Sequence, residues 1–71
     1  MPELRGFSGR EVIKILQRLG FKLMRVQGSH ANLQKGKKGC IVPLHRELSI
    51  GTMKSILRQA GLTVDEFLQN V

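Results

Sequence analysis

Two histidines, His30 and His45, are the residues of this chain best suited to acid–base chemistry, because histidine takes up and releases protons near neutral pH. His30 follows Gly28-Ser29, a pair typical of a two-residue hairpin turn with glycine in the first central position. Strand alternation after that turn places His30 on the same face as the polar Asn32. A functional histidine and a solvated surface histidine both fit this pattern.

Other catalytic centres find less support in the residue types. The chain has two histidines and one cysteine, Cys40, and they do not have the spacing of a zinc site. The sequence therefore predicts neither a metal nor a cofactor. Cys40 lies in a short apolar run, which favours a buried structural thiol over a nucleophile. Ser29 adjoins His30 but points to the opposite face of a strand, and the sole aspartate, Asp65, lies in the acidic C-terminal part. A serine–histidine–aspartate triad is therefore not expected.

One histidine is enough for catalysis if the substrate itself contains the nucleophile. RNA does so, because each ribose carries a 2′-hydroxyl. The protein then supplies a general base or acid, positive charge near the phosphate, and a pose that aligns the attack. DNA lacks this hydroxyl, so such a site would select RNA by its mechanism.

The charge of the chain also indicates a polyanionic ligand. Its 71 residues carry a net charge of +7, which favours nucleic acid or an acidic protein as partner. Residues 1–46 hold ten of the 12 cationic side chains and only two of the five acids. The predicted RNA contacts are three cations spaced four apart on the first helix and three at the second hairpin: Arg10, Lys14, Arg18, Lys35, Lys37 and Lys38. A merely solvated basic face is the alternative for both groups.

The apolar spacing predicts the elements that position these side chains. A helix over 9–19 begins at a capping box of Ser8 and Glu11 and ends at Gly20. Three strands follow over 22–27, 30–35 and 40–42, joined by turns at 28–29 and 36–39. A second helix begins after Ser49 and stops at Gly61, and a short third helix opens with a capping box of Thr63 and Glu66.

This order predicts a single α+β domain over residues 1–71, in which helices cover one face of a three-stranded antiparallel sheet. The three phenylalanines fall at helix-capping positions and are expected in the core, which argues against a sheet that stacks single-stranded bases on exposed aromatic rings. No apolar run is long enough for a membrane span or a signal peptide, so a cytoplasmic protein is expected.

The chain resembles the HicA family, small mRNA-interferase toxins of toxin–antitoxin pairs. Four segments carry the resemblance: the helix over 8–20, the turn Gly28-Ser29-His30, the Ile-Val-Pro-Leu-His segment over 41–45, and the helix over 48–62. Each motif is weak alone, and their order and spacing together are fairly specific.

The resemblance implies a fold like that of double-stranded-RNA-binding domains and metal-independent cleavage of mRNA. It implies a catalytic role for His30, with Gly28 and Ser29 positioning it. It also implies neutralisation by a HicB-type antitoxin that covers the site, and contact with DNA only through that antitoxin. His45 matches a position often occupied by histidine in the family. Three roles stay open for it: an acid–base group, a phosphate contact and a loop anchor.

Two other classes of function fit the same sequence. A binding module of this fold would hold structured RNA by its shape and never cut it. A protein-interaction domain would use its basic face only to meet an acidic partner, and would not retain RNA at moderate salt.

Overall fold

The computed structural model describes residues 3–71. Its elements are α1 (Gly9–Arg18), β1 (Lys22–Gln27), β2 (His30–Lys35), β3 (Lys38–Pro43), α2 (Ile50–Ala60) and α3 (Val64–Leu68). The strands form one antiparallel sheet in the order β1-β2-β3. The predicted α+β class and element order are thus confirmed.

Side-chain caps begin all three helices where the sequence predicts them. Ser8 and Glu11 form a reciprocal capping box on α1, in which the Ser8 amide donates to Glu11 Oε1 at 2.9 Å and the Glu11 amide donates to Ser8 Oγ at 3.1 Å. Thr63 and Glu66 repeat this arrangement on α3. Ser49 caps α2 by accepting from the Thr52 amide. These bonds satisfy amides that the first helical turn leaves without partners.

The second hairpin turn is shorter than predicted. Only Gly36 and Lys37 lie outside the strands, and Lys35 pairs directly with Lys38. The expected four-residue turn over 36–39 and the strand over 40–42 are therefore wrong at their boundaries. The physical reason is the φ of +60° at Gly36, a conformation that lets the chain reverse within two residues and extends β3 toward the turn.

The helices cover one face of the sheet, and the core lies between them. On the sheet this core comprises the buried side chains of Ala31, Leu33, Cys40 and Val42. The helices contribute Val12, Ile13, Ile15, Leu16, Met53, Ile56, Leu57, Ala60 and Phe67. The alternate residues of β2 and β3 lie on the other face, which no helix covers. We call it the open face.

The phenylalanines and the cysteine occupy the core, as predicted. Phe21 and Phe67 are buried, and Phe7 packs against the core with its ring edge-on to Phe67 at a centroid distance of 5.3 Å. Burial raises the pKa of the Cys40 thiol to about 11, so the thiolate that would be needed for nucleophilic attack is disfavoured at neutral pH. None of the helices in residues 3–71 is long and apolar enough to cross a membrane.

Candidate active site

His30 is the first residue of the central strand, and its side chain is exposed on the open face. Its backbone is flanked by Gln27 of β1 and by Pro43 of β3. The next residue, Ala31, is fully buried on the helix side, which confirms the predicted alternation. The histidine therefore has a backbone held on both sides and a side chain open to solvent.

The turn before His30 depends on glycine. Gly28 has a φ of +61°, whereas no non-glycine residue has a positive φ, so Ser29 does not share that conformation. A two-residue turn with positive φ at its first central position only is type II′, as the sequence predicts. A Cβ at Gly28 would meet no atom within 4 Å. The backbone conformation, rather than crowding, is what requires glycine here.

The loop after β3 fastens this turn to the start of α1. The Leu44 amide donates to the Ser29 carbonyl at 2.7 Å, and the Gly9 amide donates to the His45 carbonyl at 2.9 Å. A Cβ at Gly9 would overlap the carbonyl oxygen of Pro43, so the helix begins in direct contact with the loop. The hairpin turn, the loop and the helix start are thereby joined at one end of the sheet. We call this the His30 end.

Two histidines and two arginines of the His30 end have side chains without partners within the described part of the chain. His30, His45, Arg10 and Arg46 are exposed, and no hydrogen bond or ion pair within residues 3–71 involves their side chains. Of the roles considered for His45, loop anchoring is performed by its backbone carbonyl. Arg46 was not singled out from the sequence, although a cation beside a histidine in a loop next to the strand end is a signal that could have found it.

Arg25 is a second cation that sequence reasoning missed. Arg25 lies on β1 and pairs with Asn32 of β2, and the next open-face pair toward the turn is Gln27 with His30. Arg25 is thus a diagonal cross-strand neighbour of His30, within reach of a long side chain. Counting back from a two-residue turn would have placed it on this face.

The three predicted cations of α1 differ in their surroundings. All are exposed on the helix, which packs on the face of the sheet opposite the open face. Arg10 lies beside Gly9 at the His30 end. Arg18, at the other end of the helix, donates from Nη1 to the Asn70 carbonyl at 2.9 Å. Lys14 lies between them and is free of hydrogen bonds among residues 3–71.

The structure places the predicted lysines of the second hairpin away from His30. Lys35 is five residues along β2 from His30, which corresponds to about 17 Å at strand rise. Lys35 Nζ donates to the Leu19 carbonyl at 2.8 Å, and Lys38 lies against Gly61, where an added Cβ would come 2.9 Å from its Nζ. Lys35 therefore satisfies a carbonyl at the end of α1, and the Lys38 ammonium group lies beside Gly61, the residue that ends α2. Lys37 lies in the turn and is exposed.

Acidic side chains are nearly absent from this surface. The chain has no aspartate or glutamate between Glu11 and Glu47, a stretch that includes the whole sheet. Hydrogen bonding to Ser8 lowers the pKa of Glu11, which therefore keeps its charge for the capping box. Residues 3–71 contain no group of three histidine, cysteine or acidic side chains arranged to hold a metal ion.

Comparison with known proteins adds one finding to this geometry. A family model described as the HicA toxin of bacterial toxin–antitoxin systems matches residues 9–62. The matched span begins at the first residue of α1, includes the whole sheet and α2, and stops before α3. No curated protein matches the chain.

Proposed function

The chain belongs to the HicA family of toxins of bacterial toxin–antitoxin systems, and from that premise we propose that it is an mRNA endonuclease. His30 acts as its general acid or base, and no metal ion takes part. The observation that carries the proposal is the position of His30. It is exposed and without a hydrogen-bond partner in residues 3–71, while the backbone on both sides of it is held by neighbouring strands. A catalytic group needs both a fixed position and free access.

The proposed reaction is an internal transfer. The ribose 2′-oxygen attacks the adjacent phosphorus, the bond from phosphorus to the 5′-oxygen breaks, and the products carry a 2′,3′-cyclic phosphate and a 5′-hydroxyl. His30 either takes the proton of the 2′-hydroxyl or gives one to the departing 5′-oxygen, and water serves the other step. A positioned proton-transfer group of this kind contributes about 10²- to 10⁴-fold to the rate.

The cations of the His30 end bind the phosphate backbone in this proposal. Arg25 is a diagonal cross-strand neighbour of His30. Arg46 follows His45 in the loop at the same end of the sheet, and Arg10 follows Gly9, which contacts that loop. None of the three strands contains an acid. Cations near the non-bridging oxygens stabilise the charge that develops during attack. His45 adds a phosphate contact from the loop. Lys14 and Lys37 extend the backbone contacts. Arg18, Lys35 and Lys38 contribute less, because the Arg18 guanidinium already donates to the Asn70 carbonyl and the two ammonium groups lie against helix ends.

The same surface suits neutralisation by an antitoxin. We propose a HicB-type protein as partner, which covers His30 and the surrounding cations and so keeps RNA out. An acidic partner surface would match the excess of positive charge.

Cleavage of a defined mRNA by the purified chain tests the proposal. With a chelator present, we expect the RNA to be shortened and the 5′ fragment to end in a cyclic phosphate. His30→Ala should lower the rate about 10²- to 10⁴-fold while the circular dichroism spectrum is unchanged. His45→Ala, the matched control in the adjoining loop, should lower it less than about tenfold.

Undiminished cleavage by a folded His30→Ala protein would contradict the assigned role of His30. RNA that is retarded in a gel but never shortened would indicate the alternative, a non-catalytic module that binds structured RNA. Cleavage that disappears with the chelator would overturn the metal-independent mechanism.

A further inference from the structure

Strand β1 has an unusual surface for an element of so small a protein. All six of its residues are exposed, including three large apolar side chains: Leu23 at 41%, Met24 at 57% and Val26 at 52%. Leu23 and Val26 pair with Leu33 and Ala31, which are buried. They therefore point to the helix side of the sheet but extend beyond the cover of the helices. Met24, at the bulge, lines the open face together with Arg25 and Asn32. Apolar side chains exposed on both faces of one edge strand make it a candidate interaction surface.

The backbone edge of β1 is also unpartnered. Gln27 and His30 close a two-residue turn and are a hydrogen-bonded pair, so the next pair is non-hydrogen-bonded and the N–H and C=O of Val26 point away from β2. Apart from the ladder with β2, no hydrogen bond within residues 3–71 involves β1. The opposite edge differs, because the Ile41 amide on β3 donates to Gln59 Oε1 of α2 at 3.3 Å.

The charge of the strand indicates what kind of partner fits. Lys22 and Arg25 flank Leu23 and Met24, Arg25 also precedes Val26, and the sheet contains no acid. A second copy of this chain would bring Lys22 and Arg25 of both strands together between two molecules of net charge +7, and like charges across strands are destabilising. An extended segment that carries aspartate or glutamate between apolar residues would instead meet complementary charge.

We infer that the outer edge of β1 is the docking site for an acidic strand of the partner antitoxin, which extends the sheet to four strands. The inference rests on the proposed function, from which it takes the class of partner. Main-chain hydrogen bonds to an exposed edge supply affinity in such complexes, and side-chain contacts supply specificity. Here the Val26 backbone supplies the main-chain hydrogen bonds, and the side-chain contacts come from Leu23, Met24 and Arg25.

Docking at β1 brings the partner near His30 and also engages Arg25, a proposed phosphate contact. Adjacent strands lie about 4.8 Å apart, so an added strand would lie about 10 Å from β2. Gln27 is the last residue of β1 and pairs with His30, and a partner segment that leaves the new strand at this end can cover the histidine. The edge of β1 thus serves as an anchor beside His30, the group that is blocked.

The bulge and the charges of β1 support this reading of the edge. The pairing register shifts between Leu23 and Arg25, and bulges and cations are devices that keep exposed edges from pairing with identical strands. Here they protect the free protein from self-association. An acidic strand turns the same cations into attractive contacts.

The test uses the protein encoded by the reading frame beside this gene, purified and titrated onto the chain by calorimetry. Val26→Pro removes the outward N–H, and proline is tolerated where an edge N–H faces solvent. We expect it to weaken binding at least tenfold. Val64→Pro is the matched control, because Val64 is also exposed, at 39%, and is the first residue of α3, where proline fits. It should bind like the wild type.

A second pair of variants decides the matter if Val26→Pro does not fold. Met24→Glu places an acid at the bulge and should also weaken binding at least tenfold, whereas Val64→Glu should not. RNA cleavage by free Val26→Pro should equal that of the wild type, since Val26 points to the helix side of the sheet, whereas Met24→Glu places its charge beside Arg25 and should lower cleavage as well. In the complex, hydrogen exchange should slow at the amides of residues 23–27.

Several results would overturn the inference. One is wild-type affinity in both edge variants. Another is slowed exchange in the complex that is confined to α1 and the His30 end. A third is a β1-dependent dimer of the free chain in light scattering. Failure of the neighbouring protein to bind would overturn it as well. Cleavage by the free chain is measured without that protein, so the proposed nuclease stands or falls independently.

Discussion

The two ends of the sheet use their cationic side chains in different ways. At the His30 end, backbone groups are fastened to one another and the side chains of Arg10, His30 and His45 are left without partners in the described part of the chain. At the other end, which we call the Lys35 end, Lys35 donates to the Leu19 carbonyl and Lys38 lies against Gly61. Cations that look alike in the sequence therefore differ in whether they are available to a ligand.

This difference separates charge that stabilises the fold from charge that is free to bind. A lysine at a helix C-terminus satisfies carbonyls and interacts favourably with the helix dipole. It loses that interaction if it moves to a phosphate. A cation without such a partner, such as Arg10 in the first turn of α1, loses no interaction on binding a phosphate, so RNA contacts should concentrate at the His30 end.

Substitution of the glycines in the two hairpin turns gives the largest expected difference between the two ends of the sheet. Gly28 and Gly36 have φ values of +61° and +60°, and an added Cβ meets no atom within 4 Å at either. Alanine at either position should cost about 1–2 kcal/mol of stability, because this conformation is unfavourable for a side chain. Only Gly28→Ala should also slow RNA cleavage, by about 10- to 100-fold, since it shifts His30. Urea unfolding and single-turnover cleavage measure the two effects. Equal losses of cleavage would mean that the ends do not differ in function.

The cations provide the next largest expected effect. Arg10→Ala should weaken RNA binding about three- to tenfold and reduce the slope of log affinity against log salt by about 0.7, as expected for one lost phosphate contact. Lys35→Ala should leave RNA affinity within about twofold of the wild type and lower stability by about 0.5–1 kcal/mol, because α1 loses a C-terminal partner. Fluorescence titrations of RNA binding at several salt concentrations distinguish the Arg10 variant from the Lys35 variant. A larger RNA effect at Lys35 than at Arg10 would reverse the proposed assignment.

The capping boxes give the smallest effect, through pH. Hydrogen bonds to Ser8 lower the pKa of Glu11, and hydrogen bonds to Thr63, with a contribution from Lys38 and Lys35, lower the pKa of Glu66. A carboxyl with a lowered pKa in the folded state stabilises the protein above its ordinary value, and this contribution is lost as the pH falls through the lowered value. Melting temperatures should therefore fall below about pH 4.5, and less so in Glu11→Gln and Glu66→Gln.

Salt distinguishes the two boxes. Added salt should flatten the pH dependence that is due to Glu66 more than that due to Glu11, because two lysines contribute to the shift at Glu66 and only Lys14 at Glu11. An identical salt response of the two glutamine variants would speak against a lysine contribution at Glu66.

Local signals made most of the fold predictable. Capping boxes, the glycine stops and the Gly28-Ser29 turn involve residues within four positions of each other, so their hydrogen bonds can be inferred from spacing alone. The second turn was predicted two residues too long, since Gly36 and Gly39 are both plausible turn residues and only strand pairing selects between them. The bulge in β1 was not predicted, because no residue type in that strand requires one.

Chemistry and charge were determined by the sequence itself. Two features depend only on residue types and short spacings. One is a histidine at the start of a strand, after a turn that only glycine can begin. The other is a stretch of 35 residues without an acid after Glu11. Which cations are free and which edge of the sheet is open were decided only by tertiary structure. Lys35 meets Leu19 from 16 positions away, Gln59 meets Ile41 from 18, and Gly9 meets the loop at Pro43. Such contacts form where packing brings distant segments together, so local sequence patterns do not indicate which side chains they engage.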